Sequence, residues 1–275
     1  MTRTLSWRAR RAWTKRFGTL RDQERTGILK RPHYAYGLLR AADLAAAFGL
    51  KGVTAIEFGV AEGGGLLNMA ALARRIGAAT GVELKVVGFD TGSGLPPPDP
   101  GPKDHPELWS PGDFAMPDPD ALRRRIAGEA ELVLGQVRDT VRPFVDALAD
   151  THPVGFVALD VDLYSASRDA LAFLDAAPAK LLPAIAMYLD DVASIFSNRW
   201  CGELAAVEEF NAAHETRKID RDRTGLDCRP DSPQPWQAKM HVAHVLDHPA
   251  RLSPADRAAL SIGAHQTLMA TRNIG

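Results

Sequence analysis

Short apolar segments alternate with helical segments along most of the chain, and this alternation limits the fold more than any other feature. Apolar runs such as VTAIEFGV (53–60), LKVVGFD (84–90) and PVGFVALDVD (153–162) have the length of buried strands. The segments between strands have helical spacing, for example 65–79 and 201–218. This pattern indicates right-handed crossovers and a mostly parallel sheet with helices on both faces. The sequence therefore predicts a doubly wound, Rossmann-like α/β domain.

The remaining predicted elements follow the same alternation. Helices are expected at 34–49, 119–130, 139–150 and 165–178, and strands at 131–137, 184–192 and 236–246. In such sheets ligands bind beyond the carboxyl ends of the strands, where the strand order reverses. The residues that follow each strand are therefore the candidates for function.

The overall composition is that of an ordinary globular protein. Among 275 residues, 45% are apolar and 24% are charged, and the net charge is −1, so nothing favours nucleic acid as a partner. No stretch reaches the roughly 18 apolar residues needed to span a bilayer. Cys201 and Cys228 form neither a disulfide framework nor a metal-ligand pattern. A cytoplasmic protein without a membrane span is expected.

The first 33 residues differ from the rest in charge. Residues 1–31 contain ten Lys or Arg residues and only two acids, and they lack the apolar core of a secretory signal. We interpret 1–33 as a basic N-terminal arm and 34–275 as the main domain. The arm either packs on the domain or on another subunit, or it contacts an anionic surface. Together with 202–215 it offers a surface for homo-oligomerisation.

Residues 92–120 are rich in proline and interrupt the alternation. Prolines at this density prevent both helices and sheet ladders, so this segment is predicted to be one long loop. Long loops inside compact domains usually carry function. We therefore expect 92–120 to be an active-site loop.

The turn after the first strand contains an acid and a cluster of glycines. It has the spacing Glu57-x-Gly59-x-x-x-Gly63, which differs from the G-x-G-x-x-G of dinucleotide-binding proteins. Glycines at a helix N-terminus let a ligand approach the backbone amides, so the turn indicates a cradle for an anion and a ribose. Asp90, at the end of the next strand, could accept the ribose hydroxyls. A glycine turn without chemical purpose and an Asp that only forms a turn are the structural alternatives.

Aspartates follow two later strands in pairs. Asp160 and Asp162 end one strand, and Asp190 and Asp191 end the next. Carboxylates gathered at one sheet edge repel each other unless a cation lies among them, and oxygen ligands suit Mg²⁺ or Ca²⁺. The alternative is that each Asp caps the helix that follows. Gln136, after the third strand, could reach an adenine edge or be a plain turn residue.

These motifs resemble those of a known enzyme family. The glycine turn resembles motif I of class I S-adenosylmethionine-dependent methyltransferases, and GFDTGSGLP, LDVDLYSASRDAL and LDDV are similar to the macrocin O-methyltransferase (TylF-like) family. The similarity runs from about residue 34 to residue 245. It implies the class I methyltransferase fold and an enzyme that transfers a methyl group from S-adenosylmethionine to a hydroxyl of a small polyhydroxylated or glycosylated acceptor, with Mg²⁺.

The resemblance also implies site residues. Asp160 and Asp162 are the predicted catalytic residues, with Asp162 as the candidate base, and which of the two ligates the metal stays open. The predicted metal ligands are Asp160, Asp190 and Asp191. The predicted cofactor-binding residues are Glu57, Gly59, Val60, Glu62, Gly63, Asp90, Thr91, Gln136 and Asp160.

Two alternative functions and three alternative catalytic bases are also considered. An NAD(P)-dependent oxidoreductase is disfavoured by the glycine spacing and by the lack of a Tyr-x-x-x-Lys pair. A non-catalytic S-adenosylmethionine-binding scaffold is disfavoured by the clustered aspartates, which cost stability when they have no partner. His241, His244 and His248 are reserve candidates for the base, although packing or surface roles are commoner for single histidines.

Overall fold

The computed structural model describes residues 7–194, 196–224 and 234–252. Cys228 lies outside the described residues. Nine helices are assigned in the described residues: α1 (Trp7–Phe17), α2 (Leu20–Arg25), α3 (Pro32–Ala47), α4 (Gly64–Thr80), α5 (Pro119–Ile126), α6 (Val137–Ala147), α7 (Tyr164–Leu171), α8 (Gly202–Ala213) and α9 (Pro249–Leu252). No helix in these ranges is both long enough and apolar enough to cross a membrane.

Seven strands form one sheet within the described residues. They are β1 (Gly52–Phe58), β2 (Glu83–Asp90), β3 (Glu131–Leu134), β4 (Val154–Leu159), β5 (Leu181–Leu189), β6 (Arg217–Arg221) and β7 (Met240–Val245). The strand order is β3-β2-β1-β4-β5-β7-β6. The pairs among β1 to β5 are parallel, whereas β7 is antiparallel to both of its neighbours, β5 and β6.

Helices cover both faces of the sheet. On one face α3 and α4 pack against each other and against the central strands, and α6, α7 and α8 form a second layer. Every residue of β1 and β4 is buried, as expected for central parallel strands. The doubly wound, mostly parallel, Rossmann-like sheet that the sequence predicts is therefore confirmed. The strand order reverses between β1 and β4, so the carboxyl ends of these two strands form the expected ligand position.

Several element boundaries differ from the sequence prediction, and one strand was missed. The helix expected at 201–218 ends at Ala213, and β6 follows it at the edge of the sheet. The polar sequence RKIDR hides this strand, because an edge strand needs to bury only part of one face; here Arg217 and Ile219 are the buried residues. The strand expected at 236–246 begins at Met240, after a short 3₁₀ turn.

The other boundary changes are small and have local causes. The first predicted helix begins at Pro32 rather than at residue 34, since proline is well suited to the first turn of a helix. The strand expected at 131–137 ends at Leu134, and α6 begins at Val137. The helix expected at 165–178 ends at Leu171 and continues only as a 3₁₀ turn.

Candidate functional site: a cavity at the strand ends

A cavity of about 850 Å³ lies at the carboxyl ends of the parallel strands. Its wall contains nearly all of the residues predicted from the sequence to form the site: Glu57, Gly59, Val60, Glu62, Asp90, Thr91, Gln136, Asp160, Asp162, Asp190 and Asp191. Segments more than 130 residues apart in the sequence thus meet around one space. Gly63 is not in this wall; a Cβ there would lie 2.3 Å from the side chain of Leu122, so this glycine allows close packing against α5.

The turn between β1 and α4 requires glycine for steric reasons. Gly59 has a φ of 83°, and a Cβ at this position would lie 1.7 Å from the carbonyl oxygen of Asp160. A Cβ on Gly65 would lie 1.8 Å from Oε1 of Glu57. At both positions the neighbouring oxygen atom leaves no room for a Cβ, so only glycine fits. Beside this turn the amide of Asp160 donates to the carbonyl of Phe58 at 3.0 Å, which joins the ends of β1 and β4.

Glu57 is buried at the end of β1 with half of its carboxyl group unpaired. Oε1 accepts a hydrogen bond of 2.5 Å from the hydroxyl of Tyr34, whereas Oε2 is buried without a hydrogen-bond partner in the described residues. Burial raises the pKa of Glu57 to about 8, against the opposing effect of the Tyr34 hydrogen bond. A buried acceptor without a donor is costly. Because Glu57 lines the cavity, a ligand with an N–H group could supply that donor.

Asp90 at the end of β2 is already bonded to the backbone. Its Oδ2 accepts from the amides of Val60 and Ala61 at 2.8 and 2.9 Å, and its Oδ1 accepts from the amide of Gly92 at 2.6 Å. Asp90 therefore shapes the turn after β1 as well as its own turn. A carboxylate has about four lone-pair sites, so after these three bonds about one site remains for a ribose hydroxyl.

Burial and neighbouring carboxyl groups raise the pKa values of Asp160, Asp162 and Asp191. Burial, followed by repulsion from Asp190 and Asp191, raises the pKa of Asp160 to about 7. Burial and the neighbouring aspartates raise the pKa of Asp162 to about 8, and burial and Asp190 raise that of Asp191 to about 6. Asp162 also has a left-handed backbone with a φ of 62°, which Asp tolerates better than most residues. The four carboxyl groups thus form one electrostatically coupled cluster.

Three further residues contact the aspartates and were missed in the sequence. Nζ of Lys239 lies 3.1 Å from Oδ1 of Asp190, which also accepts a hydrogen bond from the hydroxyl of Tyr188. The buried Glu203, near the start of α8, accepts from the amide of Asp191 at 2.9 Å through Oε2. Lys239 comes from the distant segment before β7, so its pairing with Asp190 has no local signal in the sequence.

The donor chemistry of this cluster fits a hard divalent cation, but a preformed coordination shell is not seen. All four groups are carboxylates, and Oδ2 of Asp191 is buried without a hydrogen-bond partner in the described residues. Across the residues that the structure describes, no group of three or more His, Cys, Asp or Glu side chains is arranged to hold a metal ion. Lys239 already supplies one positive charge beside Asp190. A metal would therefore have to draw the carboxylates closer together.

The proline-rich segment forms the outer wall of the cavity. Leu95, Pro96, Trp109 and Phe114 line it, and the rings of Trp109 and Phe114 pack edge to face with centroids 6.0 Å apart. Phe114 is 56% exposed although it is large and apolar. These aromatic rings could contact an acceptor beside the aspartates. The sequence predicted the loop but not which of its residues would reach the site.

The three reserve histidines lie elsewhere. His241, His244 and His248 are not among the residues that line the cavity, and burial lowers the pKa of each. His241 and His244 lie on β7, where they pair with β5 and β6. Their position in the sheet explains their burial, and none of the three is placed to act as a base in this cavity.

Comparison with known proteins gives matches among solved structures. No protein-family model matches the chain, and no curated protein matches it. The chain is similar to a calicheamicin methyltransferase, with 22% identity over 78% of this chain and 80% of that chain and a TM-score of 0.49. The O-methyltransferase NovP matches with 17% identity over 78% and 79% of the two chains, also with a TM-score of 0.49.

A third similar structure is an O-methyltransferase from Bacillus cereus in complex with SAH. It is 11% identical over 86% of this chain and 96% of that chain, with a TM-score of 0.41. Similarities at this level concern the arrangement of the chain and not its chemistry.

Proposed function

We propose that this protein transfers a methyl group from S-adenosylmethionine to a hydroxyl of a small polyhydroxylated or glycosylated acceptor. The observation that carries the proposal is the cavity itself. One side of its wall has a glycine turn with an incompletely bonded buried acid, and the other side has four coupled carboxyl groups. The first side suits a nucleoside with a charged amino acid tail, and the second suits a hydroxyl that must lose a proton.

The cofactor half uses the residues after β1, β2 and β3. In this proposal the free Oε2 of Glu57 accepts from the cofactor's ammonium group, and Asp90 binds the ribose with the capacity that its backbone bonds leave free. Gln136, just before α6, is the candidate for the adenine edge. The start of α4 offers unpaired amides to the polar end of the ligand.

The acceptor half uses the aspartates. The methyl group of a sulfonium is already electrophilic, so the protein mainly has to align an oxygen with it and remove the proton. A carboxylate whose pKa lies near neutral pH suits this role, and the pKa values of Asp160 and Asp162 are raised to about 7 and 8. Asp160 and Asp162 are therefore both retained as candidate catalytic residues. Trp109 and Phe114 of the loop line the same cavity.

Mg²⁺ belongs to the proposal as a cofactor of the acceptor half. Asp160, Asp190 and Asp191 would hold it, and a bound Mg²⁺ would lower the pKa of a coordinated hydroxyl. Isothermal titration of the protein with MgCl₂ tests this independently of catalysis. Micromolar to millimolar binding that disappears in an Asp190→Ala variant would support the metal, and full methyl transfer in excess EDTA would exclude it.

The function is tested by incubating the protein with methyl-labelled S-adenosylmethionine and a panel of sugars and glycosylated compounds. We expect label in an acceptor hydroxyl, and a loss of at least about 100-fold in rate for Asp190→Ala while affinity for S-adenosylhomocysteine is retained. Asp146→Ala, which removes an exposed acid on α6, is the matched control and should retain full activity. Binding of NAD⁺ or NADP⁺ in place of S-adenosylhomocysteine would contradict the proposal. Cofactor binding without any transfer would indicate a scaffold.

A further inference from the structure

Arg31 connects the basic arm to the cavity. It immediately precedes α3 and has a left-handed backbone, with a φ of 50° and a ψ of 67°. Its side chain is part of the cavity wall, together with that of Glu57. The guanidinium carbon lies 5.3 Å from the centre of the Tyr34 ring, and Nη2 lies 4.0 Å from where a Cβ on Gly64 would be. Arg31 therefore lies over the start of α4, on the cofactor side of the cavity.

The guanidinium of Arg31 forms no ion pair and no hydrogen bond with any described residue, apart from its contact with the ring of Tyr34. An arginine has five N–H donors in a planar fork that fits a carboxylate. Most other arginines near this site are paired; Arg168, for example, binds Asp169 at 3.0 Å. A half-buried arginine with free donors in a cavity wall is a candidate anion-binding group.

Glu57 supplies the opposite charge nearby. The positive charge of Arg31 opposes the rise in the pKa of Glu57 and the rise in the pKa of Asp160. The three side chains therefore interact electrostatically. Arg31 and Glu57 nevertheless do not form a direct ion pair. Oε2 of Glu57 has no partner and the donors of Arg31 have none, each within the described residues. A ligand that carries both an ammonium and a carboxylate would satisfy both groups at once.

We propose that Arg31 binds the α-carboxylate of the cofactor's amino acid tail, opposite the ammonium held by Glu57. This inference rests on the proposed function, because it assumes that S-adenosylmethionine occupies the cavity. It assigns a cofactor-binding role to a residue of the basic arm. Binding the tail at both of its charges would also direct the sulfonium toward the aspartates across the cavity.

The test compares two ligands that differ in the tail. S-adenosylhomocysteine carries the ammonium and the carboxylate, whereas 5′-methylthioadenosine has the same nucleoside and sulfur without either charge. Dissociation constants for both are measured by isothermal titration with the unaltered protein, Arg31→Met and Arg31→Lys. Arg75→Met is the matched control, because Arg75 lies on α4 and donates to Gln23 rather than lining the cavity.

We expect Arg31→Met to weaken S-adenosylhomocysteine binding by about 10- to 100-fold, the range for losing a hydrogen-bonded charge. Binding of 5′-methylthioadenosine should change less than about twofold, and Arg31→Lys should lie between the two. Arg75→Met should bind both ligands like the unaltered protein. Thermal melting of each variant establishes that it is folded.

The other outcomes overturn the inference in distinguishable ways. An equal loss for both ligands would mean that Arg31 only supports the shape of the site. If S-adenosylhomocysteine binding is unchanged and an anionic acceptor binds more weakly, Arg31 binds the acceptor rather than the cofactor. If the unaltered protein binds neither ligand, the proposed function fails and the inference fails with it.

Discussion

At the scale of single residues, burial without full hydrogen bonding distinguishes the site from the rest of the sheet. Glu57 is 2% exposed in the fully buried strand β1, and its pKa is raised to about 8 from an ordinary value of 4.5. The folded state therefore binds a proton more tightly than the unfolded state does. Between these two pKa values, the contribution of Glu57 to stability decreases as pH rises.

Glu57 leads to a prediction about pH. The melting temperature of the ligand-free protein should fall as pH rises from 5 to 8.5, and the fall should be smaller in Glu57→Gln, which resembles the protonated acid at every pH. Melting curves followed by circular dichroism at a series of pH values measure this. Glu62→Gln is the control, because Glu62 is exposed in the same turn. Parallel curves for the unaltered protein and Glu57→Gln would show that Glu57 does not titrate in this range.

At the scale of elements, the proline-rich loop is tied to α7 by one buried acid. Asp104 is 1% exposed; Oδ1 accepts from the amide of Ser165, and Oδ2 accepts from the hydroxyl of Ser165 and the amide of Asp99. Two of these hydrogen bonds thus hold the loop against α7, and the third joins two residues of the loop itself. Bonds of this kind to a charged group are among the stronger ones in proteins.

We predict that Asp104→Ala loosens this loop. The free energy of unfolding should fall by about 1–3 kcal/mol, since buried donors lose their acceptor. Limited proteolysis within 95–115 should become faster. Urea unfolding and mapping of the cleavage sites by mass spectrometry measure the two effects. Ser110→Ala, an exposed change in the same loop, should alter neither. Unchanged cleavage in Asp104→Ala would mean that other contacts, such as the hydrogen bond from the amide of Gly202 to the carbonyl of Lys103, hold the loop.

At the scale of the whole molecule, the cavity joins two halves of the sheet. β1, β2 and β3 lie on one side of the reversal in strand order, and β4, β5, β7 and β6 lie on the other. A ligand that contacts Glu57 and Asp90 on one side and Asp160 on the other would connect both halves. A ligand that binds only the folded state stabilises it in proportion to the logarithm of its concentration.

Ligand-induced stabilisation gives the third prediction. S-adenosylhomocysteine at about 100 times its Kd should stabilise the protein by about 2.7 kcal/mol. For a chain of this size the melting temperature should rise by about 5 °C. Differential scanning fluorimetry measures this, with adenine and NAD⁺ at equal concentrations as controls. A rise with NAD⁺ but not with S-adenosylhomocysteine would favour the oxidoreductase alternative.

The pattern of apolar residues along the chain predicts the central strands best. Central strands such as β1 and β4 are buried on both faces and are therefore mostly apolar, so they are visible in the sequence. The edge strand β6 buries only part of one face, and its polar sequence gave no comparable signal. Gly59 was recognised as part of a turn, but only the structure shows its close approach to the backbone of Asp160.

The sequence by itself determined the doubly wound sheet and the positions of Glu57, Asp90 and the paired aspartates at strand ends, because parallel strands bring their carboxyl ends to one edge. Only the tertiary structure decided what these groups contact. Lys239, just before β7, reaches Asp190, and Arg31, from the arm, lines the same cavity as Glu57. Such contacts join residues far apart in the chain, and no local pattern encodes them because they depend on how the elements pack.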